Sequence, residues 1–113
     1  MDYRYKIEIE LDDEKIISDN KYVIESIYEA IRGMFSDEGI PEIKNDEHTM
    51  TFVSNRYDKD DFAAMALVEN TLFDSEWFRP YVKKMIWYNI AYGKDYCEDV
   101  IKAYSEFDEK YGV

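Results

Sequence analysis

The chain has 113 residues, 46% hydrophobic and 17% aromatic, so it is long and apolar enough to fold around a core of its own. It carries 14 basic and 26 acidic residues, a net charge of −12, which opposes binding to nucleic-acid phosphates and to anionic membranes. A single cysteine, Cys97, excludes an intrachain disulfide framework. We expect one domain over residues 1–113, in the cytoplasm and without direct contact with nucleic acid or membrane.

Strict alternation predicts a first β-strand over Tyr3–Leu11. Apolar side chains occupy the odd positions and charged ones the even positions, as in a strand with one buried face. The acidic run that follows, Asp12, Asp13 and Glu14, is expected to form a connection.

A helix is predicted next, from the helical spacing of apolar residues between Val23 and Phe35. One of three polar residues is expected to cap its first turn: Ser18, Asp19 or Asn20. Gly39 and Pro41 are expected to end it. Gly33 lies inside this helix, which indicates either a closely packed neighbour or a tolerated weak point.

The middle of the chain predicts a hairpin and a further helix. Ile40–Lys44 and Thr49–Ser54 have the composition of two short strands joined by a polar turn. A helix is then expected from about Asp60 to Phe73, with acidic residues at its start.

The region after Pro80 can be interpreted in two ways. Apolar residues spaced i, i+3, i+4, i+7 and i+8 favour a helix over Phe78–Asn89. The β-formers of residues 87–92 leave a short strand there as the alternative. A last helix is expected from Asp95 to about Glu109.

These elements follow the order β-α-β-β-α-α-α. They predict an α+β fold with a small three-stranded sheet, antiparallel or mixed, covered on one face by helices.

The inventory for catalysis is poor, and no catalytic residue, metal ligand or cofactor site is predicted. His48 is the only histidine and belongs to a predicted turn, whereas Cys97 lies on the apolar stripe of the last predicted helix. Buried cysteines of this kind are usually structural. One histidine and one cysteine cannot form a zinc cage of the usual composition.

The aromatic residues around Pro80 allow two interpretations. They can fill the core of a small domain, or they can form an interaction surface, because Tyr, Trp and Arg are enriched at interface centres. The candidate interaction residues are Trp77, Phe78, Arg79, Tyr81 and Trp87. Of these, Trp87 lies off the predicted helical stripe and is expected to be an exposed anchor. A homodimer built on Trp77, Phe78 and Trp87 is a further possibility.

The acidity also allows two interpretations. It can serve solubility alone, or it can steer the chain to a basic protein. In the second case Asp12, Asp13 and Glu14 are expected to form a binding patch together with Glu8 and Glu10 on the exposed face of the first strand.

Three segments carry a resemblance to other proteins: residues 5–11, 22–28 and 76–82. They resemble small acidic proteins of unknown function from conjugative and other mobile elements of Gram-positive gut bacteria. The resemblance implies a bacterial cytoplasmic protein and carries no known activity or site residues.

The sequence thus predicts a non-enzymatic interaction module, an inhibitor or accessory factor that binds a basic protein. The alternative is a small-molecule-binding protein or enzyme with a pocket lined by tyrosines and carboxylates.

Overall fold

The computed structural model describes residues 5–45, 49–54, 59–89 and 97–111, which form an α+β fold. In chain order its elements are β1 (Tyr5–Leu11), α1 (Asp13–Asp19), α2 (Ile24–Asp37), β2 (Glu42–Asn45), β3 (Thr49–Ser54), α3 (Lys59–Phe73), a 3-10 turn (Arg79–Tyr81), β4 (Val82–Asn89), β5 (Cys97–Asp99) and α4 (Val100–Tyr111). The strands form one five-stranded sheet in the order β2-β3-β1-β4-β5. Each neighbouring pair is antiparallel.

The core lies between the sheet and the helices. The odd-numbered side chains of β1 are buried, as the alternation predicts, while the even-numbered ones are half-buried on the opposite face. Buried residues of all four helices join the same cluster, including Ile16 of α1, Ile31 of α2, Met65 of α3 and Val100 of α4. The helices therefore cover one face of the sheet, and burial of these apolar side chains provides the main stabilisation.

The predicted helix over Phe78–Asn89 is wrong, and so is the three-stranded sheet. Residues 82–89 form β4, which pairs with β1 along its length. The chain order is therefore β-α-α-β-β-α-β-β-α, with the 3-10 turn before β4. The alternative strand over residues 87–92 overlaps only the end of β4, and residues 90–96 lie outside the described part of the chain.

The predicted connection at Asp12, Asp13 and Glu14 is also wrong, because these residues begin α1. Asp12 is the N-cap, and its side-chain Oδ1 accepts a hydrogen bond of 3.1 Å from the Lys15 backbone N–H. Asp13 and Glu14 lie in the first turn, where carboxylates interact favourably with the helix dipole. Asn20, one of the predicted caps of the next helix, instead ends α1 in the left-handed conformation with φ 52°.

Other predicted elements are confirmed. The hairpin forms as β2 and β3, and α3 spans almost the predicted range. Gly39 has a left-handed φ of 75° after α2, as expected for a helix end. The last helix begins at Val100, and Asp99 Oδ1 accepts a hydrogen bond from the Lys102 N–H at 3.1 Å. The predicted cap, Asp95, lies outside the described residues.

Among the described residues, no helix has both the length and the apolar character needed to cross a membrane.

Gly33 and Gly39 give a matched pair of tests for this fold. A Cβ at Gly33 would have no atom within 4 Å, so no close neighbour requires a glycine there. We expect Gly33→Ala to raise the free energy of unfolding by about 1 kcal/mol, because alanine is the better helix former. Gly39→Ala should lower it by about 1 kcal/mol, because of its positive φ. Urea unfolding in dilute solution measures the free energy of unfolding of both variants. If Gly33→Ala were less stable than wild type, the open space around Gly33 would be contradicted.

Candidate functional site

Most of the predicted aromatic surface is in fact core. Phe78 and Tyr81 are buried, and Trp87 is only 8% exposed. Trp87 lies on β4, where alternation directs it to the helix-covered face together with Met85. The predictions of Trp87 as an exposed anchor, and of Phe78 and Trp87 in a dimer surface, are therefore wrong.

The two remaining members of that set, Trp77 and Arg79, lie nearer the surface. Trp77 is half-buried, with its ring edge-on to Phe78 at a centroid distance of 6.3 Å. Arg79 is exposed, but its guanidinium forms an ion pair with Asp108 of α4. Arg79 thus fastens α4 to the turn before β4.

The predicted acidic patch is largely used within the fold. Asp12 caps α1, and Asp13 accepts a hydrogen bond of 2.7 Å from the Tyr28 hydroxyl, so of these three acids only Glu14 is exposed. On the sheet face away from the helices, Glu8 accepts a 2.6 Å hydrogen bond from the Tyr88 hydroxyl. Glu10 lies 3.7 Å from the Lys83 ammonium. Four of these five acids, Glu8, Glu10, Asp12 and Asp13, therefore make contacts within the fold.

The prediction for Cys97 is wrong as well. It lies on the edge strand β5 and is exposed, rather than buried on a helix. His48 lies outside the described residues, and within those residues no group of three or more metal-ligating side chains comes together.

A different site emerges where α3 and α4 meet. Asn70, Ala103, Tyr104 and Phe107 line a shallow groove of about 330 Å³, here called the α3–α4 groove. Phe107 is 55% exposed, whereas Tyr104 is half-buried. The Tyr104 ring stacks on Phe73 with centroids 4.2 Å apart, and its hydroxyl donates a hydrogen bond to Asn70 Oδ1. Stacking and hydrogen bond together hold Tyr104 in place as the wall of the groove.

Carboxylates accumulate beside this groove. Burial raises the pKa of Glu69 on α3 to about 7, and the neighbouring negative charge of Glu98 on β5 adds to the effect. Burial also raises the pKa of Tyr104 to about 12, with further contributions from Glu69 and Asp74 that Arg79 partly offsets. Within the described residues, Glu69 has no ion-pair partner. A half-buried carboxylate beside a second carboxylate has a potential that attracts a cation.

Sequence patterns did not predict the α3–α4 groove. Glu69 and Glu98 belong to different elements, and nothing in their spacing indicates that they meet. Two signals were available: Tyr104 and Phe107 stand three residues apart on a helix, and Glu69 follows Val68 on the edge of an apolar stripe. Neither signal distinguishes a surface groove from core packing.

Two other concave regions lie at the ends of α2. A cavity of about 490 Å³ between α2 and β2 is lined by Arg32, Glu42 and Phe52, among others. Its charges pair with each other, since Arg32 Nε is 3.0 Å from Glu42 Oε1. The second region, of about 370 Å³, lies between the start of α2 and Trp77.

Comparison with known proteins does not identify a family or a function for the chain. No protein-family model matches the chain, and comparison with curated proteins finds no match. The resemblance to mobile-element proteins stays a prediction.

The environment of Glu69 predicts a pH-dependent change in stability. The stability contributed by its proton is complete below the ordinary pKa of 4.5 and is lost as pH rises through about 7. Glu69→Gln is neutral throughout, so its free energy of unfolding should rise relative to wild type between about pH 5 and about pH 8. Urea unfolding of both proteins at the two pH values measures this change. If the difference in stability between Glu69→Gln and wild type were the same at both pH values, the raised pKa would be contradicted.

Proposed function

We propose that the protein is a non-enzymatic, acidic interaction module that binds a basic protein through the α3–α4 groove. The observation that carries the proposal is the half-buried Glu69 carboxylate, which is close to Glu98. Its charge also acts on Tyr104, which lines the groove together with the exposed Phe107. A cation brought by a partner would relieve the repulsion between the two carboxylates.

The groove suits a lysine or arginine side chain. Such a side chain has an aliphatic stem that can lie on apolar surface and a charged end that seeks carboxylates. Phe107 and the Tyr104 ring offer the apolar surface, and aromatic rings also attract cations directly. The Arg79 guanidinium, whose charge acts on Tyr104, is already paired with Asp108. An added positive charge would therefore meet an excess of negative charge.

The net charge of −12 supports the same proposal at longer range. Charge of one sign accelerates the encounter with a partner of the opposite sign, and the effect weakens as salt increases. The exposed Cys97 thiol is in keeping with a reducing compartment, and we propose the bacterial cytoplasm as the location.

A second candidate function is favoured by the same carboxylate. A carboxyl group that is half protonated near neutral pH can act as a general acid or base, and Tyr104 lies near Glu69. The groove would then hold a small polar molecule. A thermal-shift screen would favour this function if neutral compounds stabilised wild type and failed to stabilise Glu69→Gln.

The interaction function can be tested with a peptide of alternating lysine and leucine, titrated by calorimetry. We expect Phe107→Ala and Glu98→Lys each to weaken binding about tenfold, about 1.4 kcal/mol, by removing the apolar contact and the negative charge respectively. The matched controls are Ile43→Ala on the opposite sheet edge and Glu25→Lys on α2, both exposed. Equal losses in controls and site variants would show that only overall charge or apolar area matters.

Binding should also depend on pH through Glu69. The ionised carboxylate attracts a cation and the protonated form does not, so affinity for the lysine peptide should rise as pH increases through about 7. Glu69→Gln should remove this rise while leaving the fold intact, as judged by circular dichroism. An equal rise in the variant would assign the pH dependence to another group.

A further inference from the structure

The second concave region, between the start of α2 and Trp77, exposes apolar surface at Val23, while Ile27 and Trp77 pack on the core and the Tyr22 ring is edge-on to Tyr81. Its lining, here called the α2–Trp77 groove, consists of Lys21, Tyr22, Val23, Ser26, Ile27, Ala30 and Trp77. Val23 is 64% exposed and Tyr22 is also exposed. Apolar side chains clustered beside a concave surface are typical of protein contacts.

Val23 is unusual in its position as well as in its exposure. It is the N-cap of α2 and makes no side-chain hydrogen bond to the helix. Ser, Thr, Asp or Asn normally occupies this position, and their absence costs stability. The Val23 side chain therefore neither caps the helix nor fills the core, so the isolated chain gains little from it.

Two charges at the ends of α2 oppose its dipole, whereas Glu25 in the first turn favours it. Lys21 precedes the positive N-terminal end, and Asp37 is the last residue at the negative C-terminal end, where the last turn has no basic residue. Within the described part of the chain, neither Lys21 nor Asp37 has an ion-pair partner. Each of these charges would be favourable at the opposite end of a helix.

We propose that the α2–Trp77 groove is a self-association surface, occupied by α2 of a second copy of this chain in antiparallel orientation. Val23, Ala30 and Asp37 are spaced by seven residues, so they lie along one side of α2. A two-fold axis beside Ala30 places Val23 of one copy near Asp37 of the other. Lys21 then approaches the C-terminal end of the facing helix, and Trp77 borders the contact.

Charge complementarity favours a second copy over an unrelated partner. The surface carries a cation at one end and a carboxylate at the other, so rotation about a two-fold axis pairs each with its opposite twice. The helix dipoles also run in opposite directions in this arrangement. The net charge of −12 opposes self-association at low salt, so about 0.15 M salt is the appropriate condition.

The proposal is tested by sedimentation equilibrium of the full chain over a concentration series. We expect the average mass to rise from 13.6 kDa toward twice that value. Lys21→Glu and Asp37→Lys should each lower the association constant about tenfold, since each changes two contacts in the dimer. The double variant Lys21→Glu/Asp37→Lys should recover association to about the wild-type level. Lys102→Glu and Glu109→Lys make the same charge changes on α4 and serve as controls.

A substitution at Val23 separates association from folding. Val23→Ser supplies the missing cap and removes the apolar contact, so it should stabilise the monomer while lowering the association constant about tenfold. A wild-type mass of 13.6 kDa at every concentration would overturn the proposal. Association that is equally weakened by the control variants, or that the double variant fails to recover, would also overturn it.

Discussion

Strand β1 lies in the middle of the sheet, so the backbone groups on both of its edges need partners. β3 satisfies one edge and β4 the other. A buried backbone group left unpaired costs roughly 1–3 kcal/mol, so the pairing of β4 is worth more than any helical preference of its residues. The pairing of β1 with β4 also brings together the segments that adjoin them. The Asp12 N–H donates a hydrogen bond of 2.7 Å to the Tyr81 carbonyl, which links the start of α1 to the turn before β4. β5 and α4 follow from the far end of β4.

Elements with a single clear periodicity could be predicted from the sequence, and ambiguous or short ones could not. The strict alternation of β1 and the long apolar stripe of α2 each fit one structure. In β4, the residues Val82, Met85 and Ile86 fit a helical stripe, while Met85 and Trp87 also fit a strand. Only the distant partner β1 decides between these. The seven-residue α1 begins with acids that resemble a turn, and β5 has three residues, too few for a pattern.

The candidate site was predicted less well than the fold. Large aromatic side chains suit both a core and an interface. Trp87 is buried because it lies on the face of β4 that the helices cover. Trp77 alone of the predicted rings remains beside a groove. The proximity of Glu98 to Glu69 depends on where β5 lies in the sheet, and this follows from the strand order rather than from local spacing. Sequence-based reasoning identified the excess of acids correctly but could not determine which acids lie side by side.

The two outer strands of the sheet are its shortest. β2 has four residues with a shift in register between Glu42 and Lys44, and β5 has three and leads directly into α4. An unpaired strand edge is a template on which further chains can assemble into fibres. A short or irregular edge strand offers few unpaired backbone groups for such assembly. The longest β-forming segments lie inside the sheet: β1 is paired along both edges, and β4 is paired with β1 along one edge and with β5 at residues 86–88 along the other. Protection of this kind comes from topology, so it persists at high salt or low pH, where electrostatic repulsion between acidic chains is screened or lost.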